Sequence, residues 1–393
     1  MALAAALALG AGGGVAVAAD DVKAKPPAAA AESVAPGWIF ATDGKLRTGM
    51  VKVGDGGLAV DGGLVPVDQI IAGDVGEQTP SIIDQGLLLT DGTLMHGSVR
   101  SLQATTLSFS GDLVGARDFA TAAVSAVVVS PMPVADLSGL PADFTGAILA
   151  NGDRVAGDPA FINARTVGID NHRRVVQLGR AHVLAVVLHA VGHGDQLRQW
   201  ARLANGDRMD ATNLNAKGVV LAVPGNGKAD GVPITVPGAF LRGLAPDGGK
   251  FQSLLGLTAT ATVGKQTFGE DAVPAPVLSA ALSTAAWPHA AGLRFEHAIA
   301  GPAGGEIAYD IGGKYTTFFA IVAPADDSSG APDCRVLVDG HQVFDSGALT
   351  APTAITVSVS GGRELRLEVA NAASAQDGAP AATALWGEPV LAK

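Results

Sequence analysis

The sequence predicts an all-β protein: tandem small SH3/Sm-like β-barrel repeats followed by a jelly-roll-like β-sandwich. Three observations predict it. Gly makes up 52 of 393 residues and charged residues only 16%, with Val, Leu and Thr gathered in short runs. That composition favours turn-rich β structure over helical bundles. An apolar run followed by Asp/Asn-Gly recurs four times through the first two thirds of the chain. Near the C-terminus, apolar residues alternate with polar ones at period two, the mark of strands with one buried face.

The length exceeds one typical domain, and an apolar content of 48% is enough for real cores. A net charge of −11 argues against electrostatic binding to nucleic acid or to an anionic membrane.

Taken in order, residues 1–19 read as a signal peptide. The run is apolar and ends in Ala16-Val17-Ala18-Ala19 before Asp20-Asp21, with small residues at the −1 and −3 positions. Its glycines argue against a stable membrane helix, so no membrane span is expected in the mature chain. The implied location is secreted, periplasmic or cell-envelope. Residues 20–36, with Pro26-Pro27 and an Ala run, read as a disordered linker.

Four β repeats follow, at 37–80, 84–135, 145–190 and 198–245. Their shared pattern is an apolar strand, Asp/Asn-Gly, four residues, Gly, then another strand. The pairs are Asp43-Gly44, Asp91-Gly92, Asn151-Gly152 and Asn205-Gly206, with Gly49, Gly97, Gly157 and Ala211 at the second position. Asp/Asn-Gly predicts a type I′ hairpin turn. The copies step by 48, 60 and 54 residues from Asp43 to Asn205. Each ends in a further apolar stretch, and Pro66 and Pro237 there mark an edge or a strand start. Units this short bury little alone, so they are expected to stack or pair.

The periodicity stops at Pro246-Asp247-Gly248-Gly249, which predicts that the repeats and the remainder, 252–393, fold separately. In the latter, Ile307, Tyr309 and Ile311 alternate along one strand. Arg335–Phe344 is two runs meeting at Asp339-Gly340, a hairpin signal. Ile355, Val357 and Val359, then Gly361-Gly362, then Leu365, Leu367 and Val369 predict a second hairpin with one apolar face. Neither hairpin can bury that face alone, and an antiparallel sandwich supplies the facing layer.

These residues also carry a resemblance. Ile307–Asp327 (IAYDIGGKYTTFFAIVAPADD), Cys334–Thr350 (CRVLVDGHQVFDSGALT) and Ser360–Ala372 (SGGRELRLEVANA) resemble, in order, the NPCBM domain. That domain is a carbohydrate-binding module first noticed beside family 98 glycoside hydrolases and widespread in secreted bacterial proteins, many of them planctomycete. The resemblance covers about the last hundred residues and implies a jelly-roll-like sandwich with an extracytoplasmic, sugar-linked role. The chain departs from it where polar residues are usual. Ala298–Pro302 lacks the family's Gly and His, and Ala382–Trp386 keeps only the Trp of Asp-His-x-Asp-Trp. The candidate carbohydrate-binding residues are Trp386, which aligns with a family tryptophan and is either core or contact, with Asp326, Asp327 and Asp345.

Other chemistry is sparse. His189-x-x-x-His193 with Asp195 has helix-type metal spacing, and a metal site needs three or four such ligands to converge, but the glutamate of His-Glu-x-x-His is absent and Gly192 and Gly194 argue for a loop. No nucleophile elbow, P-loop or opposed carboxylate pair stands out. The lone Cys334 reads as a small structural side chain. The expectation is a non-enzymatic protein without metal or cofactor that binds or scaffolds extracellular or envelope polysaccharide. One alternative is an envelope structural module, contacting other proteins, whose sandwich has lost sugar affinity. A third is an accessory subunit of a separate glycoside hydrolase.

Overall fold

The computed structural model describes residues 35–76, 82–133, 144–189, 200–223, 233–245, 247, 249–264, 289–326, 328, 330–371 and 382–393. The signal segment, His193, Asp195 and Asp327 lie outside these. Among the described residues no helix is long and apolar enough to cross a membrane.

The chain is all-β, as its composition predicts, and each copy of the repeat builds the same unit. In the first, strands Ala35–Ala41, Leu46–Gly54, Gly57–Val60 and Gly63–Pro66 lead through a 3-10 turn, Val67–Gln69, into Ile70–Val75. The first strand pairs with both the second and the last, giving the order last-first-second-third-fourth. Ala35 and Pro36, expected at the end of a linker, already pair with Val51 and Met50. The other copies return their last strands in the same way, Leu88 opposite Ala126, Ile148 opposite Ala185 and Arg202 opposite Gly243.

The repeated turn is not the type I′ expected from sequence. Only the glycine is left-handed, with φ of 75°, 89°, 87° and 93° at Gly44, Gly92, Gly152 and Gly206. Its amide closes on the carbonyl three residues back, for instance Gly152 on Leu149. The Asp/Asn instead accepts from the backbone amide two residues on, at 3.1, 2.9, 3.1 and 3.1 Å in the four copies. The Asp/Asn side chain therefore caps the turn and the Gly supplies the positive φ, as in a three-residue hairpin loop.

The copies pair, though not with their sequence neighbours alone. The last strands of the first and fourth lie edge to edge, Asp74 opposite Gly243. Those of the second and third do the same, Val127 opposite Val186. Arg208 opposite Leu94 joins the pairs, and one buried apolar cluster runs through all four copies. Pairing removes the exposed strand edges that such short units would otherwise present.

The C-terminal part is a two-sheet antiparallel sandwich. One sheet orders Phe251–Ser253, Thr383–Ala392, Thr317–Pro324 and Thr353–Ser358, with Ala298–Pro302 also on Thr383–Ala392. The other orders Ala259–Gly264, Gly305–Asp310, Glu364–Asn371, Pro332–Val338 and His341–Ala348. The Asp339-Gly340 hairpin forms as read, with φ of 48° and 79°. The second expected hairpin does not. Thr353–Ser358 pairs with Thr317–Pro324, whereas Glu364–Asn371 lies in the opposite sheet. Gly361 turns the chain between sheets, so Ile355, Val357, Leu365 and Leu367 meet across the core rather than side by side.

Candidate functional site

Position three before the turn Asp/Asn decides what each repeat shows on its outer face. It is Phe40, Leu88, Ile148 and Arg202 in the four copies. Leu88 and Ile148 pack together under Ile83 and Met132, whose short strands form a ribbon of their own. Phe40 and Arg202 instead face the sandwich.

Phe40 belongs to a cluster with Trp38 and Ile71 of the first copy and with Phe251, Phe295, Phe319, Ile321 and Val390 of the sandwich. Ring centroids lie 6.2 Å apart for Phe40 and Phe319 and 5.8 Å for Trp38 and Phe295. The Trp38 indole donates from Nε1 to the Arg294 carbonyl at 3.1 Å. Thr317–Pro324 is thus covered on both faces, with Phe318 and Val322 in the sandwich core and Phe319 and Ile321 against the repeats.

Beside this apolar patch, a cleft opens where the first copy, the fourth copy and the sandwich meet. Two indoles, three guanidiniums and three carboxylates line it: Trp38, Trp200, Arg202, Arg208, Arg294, Asp74, Glu296 and Glu388. Arg202 bridges Asp74 and Glu296, the latter at 2.9 Å. Arg294 reaches Asp74 at 2.7 Å and Arg208 reaches Glu296 at 3.2 Å. The Arg208 guanidinium also sits 5.6 Å from the Trp200 ring. Asp74 and Glu296 are 4% and 8% exposed, so each depends on its cations for ionisation. Burial pushes the Glu296 carboxyl up, but Arg202, Arg208 and His297 outweigh it and hold it below its ordinary value.

Glu388 completes the cluster from a left-handed turn, φ 48°. Its Oε1 accepts from the Glu296 amide at 2.5 Å and the His297 amide at 3.2 Å, and Oε2 faces His297 Nδ1 at 3.4 Å. Burial alone would hold the His297 imidazolium down, yet Glu388 and Glu296 carry its pKa above the ordinary value. Sequence reasoning missed this junction. The one available signal was the coincidence of Trp38 and Trp200, each five residues before its turn Asp or Asn.

The residues singled out from sequence stand elsewhere and apart. Trp386 is 1% exposed in the sandwich core, so it offers no face on which a sugar could stack. Asp326 is exposed and already accepts from the Ala291 amide at 2.5 Å, with His289 at 3.2 Å. Asp345 lies on the other sheet, where the Gly347 amide at 2.8 Å holds its carboxyl below the usual range. Asp327 lies outside the described residues. Cys334 is buried, and desolvation pushes its thiol up to about 12, as suits a structural side chain. His189 bonds the Thr121 carbonyl at 3.1 Å, while the rest of its motif lies outside the described residues. Among the described residues no three metal-ligating side chains converge.

The family model of the NPCBM/NEW2 domain matches residues 282–392, the stretch on which the resemblance rests. No curated protein matches the chain. Solved structures similar to it include the CBM51 of Clostridium perfringens GH95 in complex with methyl-galactose. That match is 18% identical, covers 36% of this chain and 99% of that one, and has a TM-score of 0.29. Another is the tandem CBM51 modules of Sp3GH98, the family 98 glycoside hydrolase from Streptococcus pneumoniae. It is 11% identical over 90% of this chain and 87% of that one, with a TM-score of 0.30. A third, the CBM51-2 and INT domains of Clostridium perfringens ZmpB, is 18% identical over 47% of this chain and 39% of that one, at 0.29. The family match supports a carbohydrate-binding role for the sandwich.

Proposed function

We propose that this chain is an exported, non-catalytic protein whose C-terminal sandwich binds extracellular or cell-envelope polysaccharide, with the repeats as its scaffold. The observation that carries this reading is the NPCBM/NEW2 match to residues 282–392, whose described residues supply most of a two-sheet sandwich and of its core. The repeats' order of last-first-second-third-fourth strand supports the SH3-like reading of those units. The outer face of the sheet holding Thr317–Pro324 is occupied by the first copy, so a glycan has the opposite sheet and the loops to approach. Asp345, with a side chain 40% exposed, is one acceptor on that side, as is Glu364 at 39%.

Contact through hydroxyl-to-carboxylate bonds without an indole platform makes for weak binding. The large hydrophobics exposed among the described residues are Met50, Leu64, Ile82, Val175 and Val343, none of them aromatic. Pro302, Ala382 and Leu385 offer no side-chain donor or acceptor. A glycan array probed with the full chain, followed by calorimetric titration of the retained sugars, tests the reading. Retention of at least one oligosaccharide is expected, with Kd weaker than about 1 μM. Affinity should fall in Asp345→Asn. Failure to retain any glycan would instead favour the alternative, an envelope scaffold whose sandwich has lost its ligand. The burial of Trp386 is the observation on that side.

A further inference from the structure

We infer that the repeat array is the dedicated seat of the sandwich, so that the two parts form one cooperative body rather than beads on a linker. The seat is built by one repeat position used in two ways. In the first copy, three residues before the turn, Phe40 inserts an aromatic ring against Phe319. In the fourth copy the same position is Arg202, which ties Asp74 of the first copy to Glu296 of the sandwich.

The two copies are brought together by edge pairing of their last strands, Leu244 opposite Gly73. The apolar half of the seat is built by the first copy, whereas the ionic half exists only once the first and fourth copies have met. The equivalent face of the second and third copies carries Leu88 and Ile148 and is closed by the Ile82–Ile83 and Met132–Pro133 ribbon. Among the described residues there is thus one such seat.

The fit on the sandwich side is equally specific. Arg294, Phe295 and Glu296 are consecutive, and each meets a different partner in the repeats. Arg294 pairs with Asp74, Phe295 packs on Trp38, and Glu296 takes Arg202 and Arg208. Glu388 fixes that segment by accepting the Glu296 and His297 amides. Removing the repeats would expose Phe319, Ile321, Phe295 and Phe251 together as one apolar patch, with Glu296 stripped of Arg202 and Arg208. This holds whether or not the sandwich binds sugar.

The test is calorimetry of the full chain, with tryptophan fluorescence followed through the same transition. Wild type should show one endotherm, its calorimetric and van't Hoff enthalpies equal, and a coincident fluorescence change. Arg202→Met, which leaves Asp74 and Glu296 short of a shared cation, should split the endotherm or move its onset down by several degrees. Arg202→Lys should lie between. Two wild-type endotherms would overturn the inference, as would an Arg202→Met chain with an unchanged single transition. Should Arg202→Met fail to fold, Arg208→Gln is the second variant, since Arg208 is more exposed and, among the described residues, its ion pair is to Glu296. In hydrogen exchange, Arg208→Gln should raise rates in Thr317–Pro324 and in Ile70–Val75 together. A rise confined to one of the two strands would overturn the inference.

Discussion

Gly152 and Gly206 occupy the same turn position in two copies and have nearly the same φ, 87° and 93°. Their surroundings differ. A Cβ on Gly152 meets nothing within 4 Å, whereas one on Gly206 comes within 2.6 Å of the His96 ring. Gly152→Ala is therefore expected to cost only the left-handed backbone penalty, about 1–2 kcal/mol. Gly206→Ala should cost more, because His96 is held by Asp207, whose carboxylate sits 3.0 Å from Nδ1. In a His96→Ala background the excess should disappear, a coupling that urea unfolding of the four variants measures. Trp386 belongs to the same scale. At 1% exposure it is a core side chain, and Trp386→Ala should remove about 3–5 kcal/mol of stability. If sugar binding is lost in that variant, circular dichroism should show that the fold is lost with it.

At the scale of elements, alternation placed the strands but not their partners. Ile355, Val357, Leu365 and Leu367 all face the same core, and a hairpin and a sandwich corner satisfy that alternation equally well. The Gly361 corner chose the sandwich. The segment 294–297, clamped by Glu388, has a pH dependence of its own. The His297 pKa is raised in the folded chain, so its imidazolium contributes stability below the unfolded value, about 6.5. That contribution is lost as pH rises through the higher folded value. The urea midpoint is expected to fall across that range, and Glu388→Gln should flatten the decline. A midpoint that rises over the same interval would reverse the assignment.

For the whole molecule, the break at Pro246–Gly249 predicted two bodies, and the structure places a shared apolar cluster and an ionic cluster across it. A protease site inserted between Gly248 and Gly249 should be cut without separating the pieces. The nicked chain is expected to elute from gel filtration as intact protein and to dissociate only in denaturant. Fragments that part under native conditions would mean that the contact is too weak to hold them.

The sequence by itself determined the all-β class, the four repeats with a turn at each Asp/Asn-Gly, the Asp339-Gly340 hairpin and the NPCBM-like sandwich. Each of these is written in local periodicity or in residues a few positions apart, where backbone preference and side-chain alternation act directly. Only the tertiary structure decided that the first copy pairs with the fourth, that Trp386 is core, and that Asp74, Arg202 and Arg294 share one cluster. Those last contacts span 128 and 220 residues. No local rule reaches so far, because such charges become partners only after strand edges have paired and the surrounding apolar faces have excluded water.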